Sequence, residues 1–379
     1  MSTIPSIDPR ETQPLDAVLA HLRALVAFDT RNPPRAITRG IFDYLEARLR
    51  GFRCTFTDHG DGALSLLATR GRPRVLFNVH LDTVPDSPHW SASPFELRVD
   101  EGRAIGLGAC DTKGAAAALL AAAEATDGEA AMLFTSDEEA NDARCVGAFI
   151  AQLPFADWPL QAVVVAEPTR CEAVLVHRGI SSVRLRFRGS AGHASGDLAA
   201  NASALHHAVR WGARALELAT SQEHERFGGL TGLRFNIGRI EGGIKANMVA
   251  PEADLRFGFR PLPSMSFDRL HERFATLVDA GALERYEETF RGPPLPAGET
   301  ADAEQRRLEA RDLADALGLP IGNAVDFWTE ASLFSAAGLA AIVFGPGDIA
   351  QAHAADEWVA LDQLAAAAAT YQRLFEGPR

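Results

Sequence analysis

The sequence has 379 residues, of which 47% are hydrophobic, and its formal net charge is −13 at pH 7. A chain of this length and composition is typical of a globular protein with room for two domains. The negative charge argues against nucleic acid and anionic membrane surfaces as partners, because both bind clustered Lys and Arg, so we expect a small-molecule ligand.

Nothing in the sequence predicts secretion or membrane insertion. Residues 1–15 lack the apolar segment of a secretion signal, and the longest apolar run, residues 115–123, is too short to span a bilayer. Scattered cysteines favour free thiols in a reducing compartment over a disulfide framework. They are Cys54, Cys110, Cys145 and Cys171. We therefore expect a cytoplasmic protein.

Hydrophobic periodicity predicts alternating helices and strands. Apolar residues at helical spacing predict helices over residues 15–28 and 40–49, the second with Thr38 as its N-cap, and an alanine-rich segment predicts a third over 115–125. Short apolar runs predict strands, at residues 54–58, 64–69, 75–79, 130–134, 163–166 and 340–344. Helical segments separate several of the strands, which favours an α/β fold with a mostly parallel, doubly wound sheet and helices on both faces.

Potential metal ligands follow four of these strands. Past the strand ends the sequence places His80 with Asp82, Glu138 with Glu139, Glu167, and, after a loop, His353. Ligands of open α/β sheets bind beyond the carboxyl ends of parallel strands, so we expect these groups to converge. Imidazole and carboxylate groups suit divalent cations. Taken alone, His80 and Asp82 could equally form a buried structural pair, and the two glutamates could simply begin a helix.

The sequence between Glu167 and His353 has a different hydrophobic pattern. From residue 177 onward apolar and charged residues alternate, as in a strand with one solvated face. The predicted order is strand, helix, strand, strand, helix, strand, which favours a ferredoxin-like α+β domain inserted into the larger one. The predicted division is 1–177 and 292–379 for the larger domain and 178–291 for the insertion.

Six motifs, in order along the whole chain, carry a resemblance to a known family. They are His80-Leu-Asp82-Thr-Val-Pro85, Cys110-Asp111-Thr-Lys-Gly114, Asp137-Glu138-Glu139, Ala166-Glu167-Pro-Thr169, Ser190-Ala-Gly-His193-Ala-Ser195, and Gly345-Pro-Gly347 followed by His353. Together they resemble the acetylornithine deacetylase and succinyl-diaminopimelate desuccinylase family of co-catalytic zinc hydrolases. The resemblance implies a zinc exopeptidase-like fold with a catalytic larger domain and a lid and dimerisation insertion.

The resemblance also implies a pair of divalent metal ions. Asp111 would bridge them, with His80 and Glu167 completing one site and Glu139 and His353 the other. One carboxylate can supply an oxygen to each of two neighbouring cations. Zinc is the metal expected from the ligand types, and cobalt would fit the same set.

Catalytic roles follow from the same resemblance. Glu138, beside a ligand but free of the metal, is expected to act as general base towards the attacking water. Asp82 is expected to accept a hydrogen bond from the far nitrogen of His80 and to fix its tautomer. The peptide bond between Asp111 and Thr112 is expected to be cis.

In the inserted domain the resemblance assigns substrate contacts. His193 matches a histidine that reaches the active site of a neighbouring subunit, which implies a homodimer formed through this domain. Asn247 and Arg260 match residues that contact the substrate carboxylate, although Arg256 lies on the same strand face as Arg260 and could take its place. Arg178 is a further candidate for this role.

Two stretches, residues 28–35 and 326–334, look most like the branch of the family that deacetylates N-acetyl-L-citrulline in arginine biosynthesis. No further acidic cluster is evident for a cationic ornithine side chain, which favours a neutral ureido group. N-acetyl-L-ornithine deacetylation is the alternative. More remote alternatives are a dipeptidase or aminoacylase with the same metal core, and a non-catalytic protein that binds metal or an amino acid.

Overall fold

The computed structural model describes residues 9–140, 142–152, 158–196 and 202–377. Contacts between residues divide the chain into two compact units. Unit 1 comprises the described residues of Met1–Leu175, Leu308–Gly322 and Thr329–Arg379, and unit 2 comprises those of Val176–Arg307 and Asn323–Trp328. The predicted insertion, residues 178–291, falls inside unit 2, which also takes in chain that follows it.

The strands and helices of both units are numbered here in chain order. The strands are β1 (Arg53–Asp58), β2 (Leu64–Arg70), β3 (Val75–His80), β4 (Arg98–Asp100), β5 (Arg103–Ile105), β6 (Ala130–Thr135), β7 (Ala162–Val165), β8 (Ile180–Arg188), β9 (Gly192–His193), β10 (Arg226–Phe227), β11 (Leu230–Thr231), β12 (Arg234–Gly242), β13 (Met248–Val249), β14 (Glu252–Arg260), β15 (Leu283–Gly292), β16 (Ala340–Val343) and β17 (Trp358–Ala360). The α-helices are α1 (Pro9–Val26), α2 (Arg39–Arg48), α3 (Lys113–Ala125), α4 (Arg144–Gln152), α5 (Ala204–Thr220), α6 (Phe267–Thr276), α7 (Ala303–Ala316), α8 (Ala331–Ala336) and α9 (Leu361–Glu376). Two 3₁₀ turns occupy Thr300–Asp302 and Ile349–Gln351.

A six-stranded mixed sheet forms the core of unit 1, in the order β1-β2-β6-β3-β7-β16. Strands β6, β3, β7 and β16 run parallel, whereas β1 and β2 pair antiparallel with their neighbours. Every residue of β6 and β7 is buried, as expected for apolar strands covered on both faces. The predicted α/β fold with a mostly parallel sheet is confirmed.

Two groups of helices pack in unit 1. Helices α1, α2, α3 and α9 contact one another around α3, while α4 packs on α8 and α8 packs on β7 and β16. Helix α3 is buried over most of its length because its alanine side chains let neighbours approach closely. Gly114 at its start is required, since a Cβ atom there would lie 2.3 Å from the carbonyl oxygen of Ala109.

Unit 2 contains a four-stranded antiparallel sheet in the order β12-β14-β8-β15. The chain order β8, α5, β12, β14, α6, β15 is that of a ferredoxin-like domain, so the prediction for the insertion is confirmed. An aromatic cluster built on Trp211, Phe257 and Phe274 fills the space between this sheet and α5 and α6.

Some details differ from the sequence prediction. The three-stranded sheet β17-β5-β4 was not predicted, because strands of three residues are too short to show a period. Thr38 precedes α2 but its side chain makes no capping bond, whereas Ser266 caps α6 by accepting from the Arg269 amide. Among the described residues, no helix is both long and apolar enough to cross a membrane.

Candidate metal centre

His80 ends β3 and points its two ring nitrogens at different partners. Nδ1 lies 3.0 Å from the carbonyl oxygen of Asp82, so Nδ1 carries the proton and donates. Nε2 lies 3.0 Å from Oδ1 of Asp111 and 3.8 Å from Oε1 of Glu167. With Nδ1 protonated, Nε2 can donate to Asp111 as part of an imidazolium, or the neutral ring can offer its lone pair to a cation held between the two carboxylates.

His353 is the second histidine that lies close to Asp111. Its Nε2 lies 3.3 Å from Oδ2 of Asp111 and 3.1 Å from Oε1 of Glu139. His353 has φ 57°, a left-handed conformation that non-glycine residues adopt infrequently. The loop before it contains a capping box: the Asp348 side chain accepts hydrogen bonds from backbone amides of the following turn, and the Gln351 side chain accepts one from the backbone amide of Asp348.

Asp111 is therefore shared by two groups of potential ligands. In the first, the ligand atoms of His80, Asp111 and Glu167 all lie within 4.8 Å of one another, and the same holds for Asp111, Glu139 and His353 in the second. The two carboxylate oxygens of Asp111 face opposite groups. The peptide bond from Asp111 to Thr112 is cis, as predicted.

The charges of the centre fit a pair of cations. Burial, followed by the repulsion of neighbouring carboxylates, raises the pKa of Glu138, Glu139 and Glu167 above ordinary values. Burial alone would lower the pKa of His80, but the neighbouring carboxylates of Asp111, Asp82 and Glu167 raise it well above the usual range. Buried carboxylates gathered at this density need compensating positive charge, and the donor set of imidazole and carboxylate is one that divalent ions accept.

Asp82 is completely buried beside His80. Its Oδ2 accepts hydrogen bonds from the side-chain amide of Asn32 at 2.9 Å and from the backbone amide of Glu139 at 3.0 Å. Its Oδ1 lies 3.5 Å from Nδ1 of His80. The predicted interaction with the far nitrogen of His80 is thus a long contact, supplemented by the shorter bond to the Asp82 carbonyl.

Three buried residues around the centre were missed by the sequence reasoning. Glu357 accepts hydrogen bonds from the backbone amides of Gly108, Cys110 and Asp111, and burial raises its pKa to about 7. Lys113 donates to the carbonyl of Phe28, and burial lowers its pKa to about 7. Glu330 accepts from Thr135. Lys113 could have been noticed because it belongs to the Cys110–Gly114 motif. Glu357 and Glu330 belong to no motif that the sequence reveals.

In unit 2, the segments that carry His193 and Asn247 lie side by side. His193 pairs with Met248 in the short β9–β13 ladder, and the carbonyl of Asn247 accepts from the amide of Ala194. The His193 side chain is exposed and its Nδ1 lies 2.7 Å from Oγ of Ser195. The substrate roles of His193 and Asn247 stay predictions.

The two arginines predicted to contact substrate have different surroundings. Arg178 is fully buried, and its guanidinium donates to Asp326 and to the carbonyls of Thr231 and Gly232. Because its guanidinium already bonds to groups inside unit 2, Arg178 has a structural role there. The structure does not support the predicted contact between Arg178 and substrate. Arg260 instead lines, with Arg256, a groove of about 740 Å³ on the sheet of unit 2. The substrate roles of both arginines stay predictions.

The family of the chain follows from sequence comparison. Residues 76–377 match the family described as Peptidase family M20/M25/M40. The chain belongs to this family. The resemblance inferred from the six motifs is therefore confirmed, and the two groups that share Asp111 lie within the matched region.

Individual relatives are consistent with this membership. The N-acetyl-L-citrulline deacetylase of Xanthomonas campestris pv. campestris is 65% identical over 97% of this chain and 99% of its own length. An acetylornithine deacetylase of Vibrio vulnificus is 30% identical over 86% of this chain and 87% of its own. The structure is also similar to that of a dinuclear metal-binding M20 peptidase from Bacillus subtilis, with a TM-score of 0.64 and 13% identity over 96% of this chain and 98% of that one.

Proposed function

We propose that this protein is a metal-dependent amidohydrolase that removes the acetyl group from N-acetyl-L-citrulline. The observation that carries the proposal is the position of Asp111, whose two oxygens face two separate groups of potential metal ligands. The relative at 65% identity, an N-acetyl-L-citrulline deacetylase, supports this acyl-amino acid as the substrate. The products would be acetate and free L-citrulline.

Two bound divalent ions would supply Lewis acidity towards the amide carbonyl and would lower the pKa of a water molecule. Glu138 lies three residues beyond the end of β6 and precedes the proposed ligand Glu139. We assign it the role of general base, which takes the proton of the attacking water and returns it to the departing amine. In the absence of metal, burial raises the pKa of Glu138 above its ordinary value.

The metal would be zinc, with cobalt as a functional substitute. His80, Glu167, Glu139 and His353 offer imidazole and carboxylate ligands, a mixture typical of catalytic zinc sites. Cobalt has similar ligand preferences. Its visible absorption makes it a useful probe of this centre.

We also assign a homodimer formed through unit 2. Strand β12 lies at the edge of its sheet, where its outer backbone groups could pair with a second copy. On the adjacent helix α5, Val209 is 59% exposed and Leu216 54% exposed, two turns apart on one side. A symmetric pairing of two such edges would bury both side chains. In this dimer His193 would serve the partner subunit's active site by stabilising the oxyanion.

The proposed setting is arginine biosynthesis in the cytoplasm. A small acyl-amino acid as substrate fits the acidic chain, and all four cysteines are free thiols, as a reducing compartment requires.

A substrate panel tests the proposed function. The metal-loaded protein would be assayed for release of the acyl group from N-acetyl-L-citrulline, N-acetyl-L-ornithine and succinyl-diaminopimelate, and for cleavage of a simple dipeptide. We expect N-acetyl-L-citrulline to give the highest kcat/KM, and a chelator to abolish the reaction. A higher value for N-acetyl-L-ornithine would favour the second candidate, which the Vibrio relative supports. No turnover of any compound would favour a non-catalytic binding protein.

A further inference from the structure

The orientation of the Asp82 carboxylate is set by its hydrogen bonds. The terminal torsion of an aspartate is broad, so packing alone does not fix which way the two oxygens point. Here Oδ2 accepts two bonds, from Asn32 and from the amide of Glu139. Oδ1 makes no hydrogen bond to any described residue and faces Nδ1 of His80 at 3.5 Å. The two bonds to Oδ2 therefore hold Oδ1 towards the histidine.

Asp82 touches both halves of the metal centre. His80 belongs to the ligand group with Glu167, whereas the backbone of Glu139 belongs to the group with His353. A change in the orientation of this one carboxylate would move a histidine of the first group and the backbone of a ligand in the second. Partners that orient metal ligands are part of a site's affinity, and their loss typically costs about 10- to 100-fold in metal binding or activity.

Asn32 is held firmly in position to make its bond. It is buried, and its backbone amide donates to the carbonyl of Thr83 at 2.7 Å. The amide of Thr83 in turn donates to the carbonyl of Thr30 at 3.0 Å. The side chain of Asn32 also lies 3.4 Å from the carbonyl of Ser136, so its amide group bridges two segments that follow β3 and β6.

Next to Asn32, the side chain of Arg31 ties the same loop to its surroundings without touching Asp82. Its guanidinium pairs with Asp29 at 2.6 Å and with Asp86 at 2.7 Å. These ion pairs are partly exposed, so they fasten the loop without entering the metal centre. They provide a way to loosen the loop while leaving the bond from Asn32 to Asp82 in place.

We propose that Asn32 is a positioning residue of the metal centre, which acts by donating its side-chain amide to Oδ2 of Asp82. The inference rests on the proposed metal-dependent function. It adds a residue that none of the six motifs contains. Asn32 touches no ligand group itself and acts on His80 and Glu139 only through Asp82.

Titration of the metal-stripped protein with Co²⁺ tests the proposal. Asn32→Leu replaces the amide by an apolar group of similar size, and Asn32→Asp keeps its shape while removing the donor. Asp86→Asn is the matched control, because it weakens the anchoring of the loop through Arg31. The readouts are the affinity for each of two ions, the visible absorption of bound Co²⁺, and kcat and KM separately.

We expect the wild type to bind two ions. Both Asn32 variants should bind at least one ion about 10-fold more weakly or more, with an altered Co²⁺ spectrum and a lower kcat at little-changed KM. Asp86→Asn should stay within about twofold of wild type in all of these. If one Asn32 variant proves unfolded by circular dichroism, the other decides.

Two results would overturn the role of Asn32. One is wild-type Co²⁺ affinity and spectrum in a folded Asn32 variant, and the other is an equal loss in Asp86→Asn, which would assign the effect to the loop as a whole. A wild type that binds fewer than two ions would be a different failure, because it would refute the proposed metal centre itself.

Discussion

At the scale of single residues, neighbouring glutamates have separate surroundings. Glu139 meets His353 through its side chain and Asp82 through its backbone amide. Glu138 belongs to neither group of potential ligands among the described residues. A carboxylate beside the metal centre that is not engaged as a ligand is free to carry a proton.

The first prediction concerns Glu138→Gln. The variant should bind two metal ions as the wild type does but lose about 10²- to 10⁴-fold in kcat, because an amide cannot accept the proton of the attacking water. Acetate release and metal content, measured on the same preparation, check this. Near-normal turnover would remove Glu138 from its assigned role, and loss of metal would make it a ligand instead.

The second prediction concerns the buried carboxyl of Glu330. Burial, and then the charge of Asp137, raises its pKa to about 8, while in the unfolded chain it would be about 4.3. Between these values the folded state keeps a proton that the unfolded state has lost. The contribution of Glu330 to stability therefore falls as the pH rises through this range.

Glu330→Gln cannot ionise, so the variant should escape this loss. We expect the free energy of unfolding of the metal-stripped variant to fall less between about pH 5 and about pH 8 than that of the metal-stripped wild type. In this pH range the Glu330 carboxyl is ionised in the unfolded state but still protonated in the folded state. Urea unfolding at both pH values measures the difference. Equal pH dependence in the two proteins would contradict the shifted pKa.

Sequence reasoning could point to single residues only within spaced motifs; residues 28–35, which include Asn32, were noted only because the whole stretch resembles one branch of the family. His80, Asp111 and His353, which the structure brings into the two groups of potential ligands, each follow an apolar strand or stand in a family motif. Their role as metal ligands stays a prediction. Asn32 and Glu357 act through single hydrogen-bonding groups whose partners are distant in sequence. No periodicity marks such a residue, so only coordinates reveal what it contacts.

At the scale of elements, long apolar segments were predictable and short or irregular ones were not. Strands β3, β6 and β7 are mostly apolar because both of their faces are covered, and that pattern is readable without a structure. Strands β4 and β17 have only three residues each and depend on their partner β5. Their formation is a consequence of tertiary contacts rather than of local preference.

Asp279 lies in the segment after α6 and ties that segment to helix α5, which gives the third prediction. Its carboxylate bonds with His207, Arg210 and Arg214, and these bonds, the one with His207 foremost, hold the pKa of Asp279 well below its usual range. Asp279→Asn should destabilise the protein at pH 7 by about 1–2 kcal/mol.

The pH dependence of this effect has a definite sign. A lowered folded-state pKa contributes stability above the unfolded value of about 3.9 that is lost as the pH falls below it, so the difference between variant and wild type should shrink in acid. Asp43→Asn, which breaks an exposed pair with Arg39 on α2, is the control and should cost about 0.5 kcal/mol or less. Equal costs in urea unfolding would contradict the prediction.

The fourth prediction tests the proposed dimer. Substituting Val209→Glu and Leu216→Glu together places two like charges on the exposed side of α5, so a dimer formed there should dissociate. Light scattering should give the mass of two chains for wild type and of one for the variant. The control is Leu308→Glu, an exposed leucine on α7, which should leave the mass unchanged. A monomeric wild type would refute the dimer.

At the scale of the whole molecule, the topology of the sheet gathers the metal centre. Strands β6, β3, β7 and β16 are adjacent and parallel, so the segments beyond their carboxyl ends meet although they are far apart in sequence. This convergence was predictable from strand ends alone. The sequence did not predict which oxygen of Asp111 faces His80 and which faces His353. This depends on how the loops that carry these residues pack.

The measurement that tests this account most directly is the number of divalent ions bound per chain at full activity. Metal-stripped protein would be loaded stepwise with zinc, and bound metal and acetate release from N-acetyl-L-citrulline would be followed together. The account predicts that activity rises to its maximum as two ions bind per chain, and that Asp111→Ala disrupts both sites. Full activity with one ion or none, or an Asp111→Ala variant that still holds two, would contradict it.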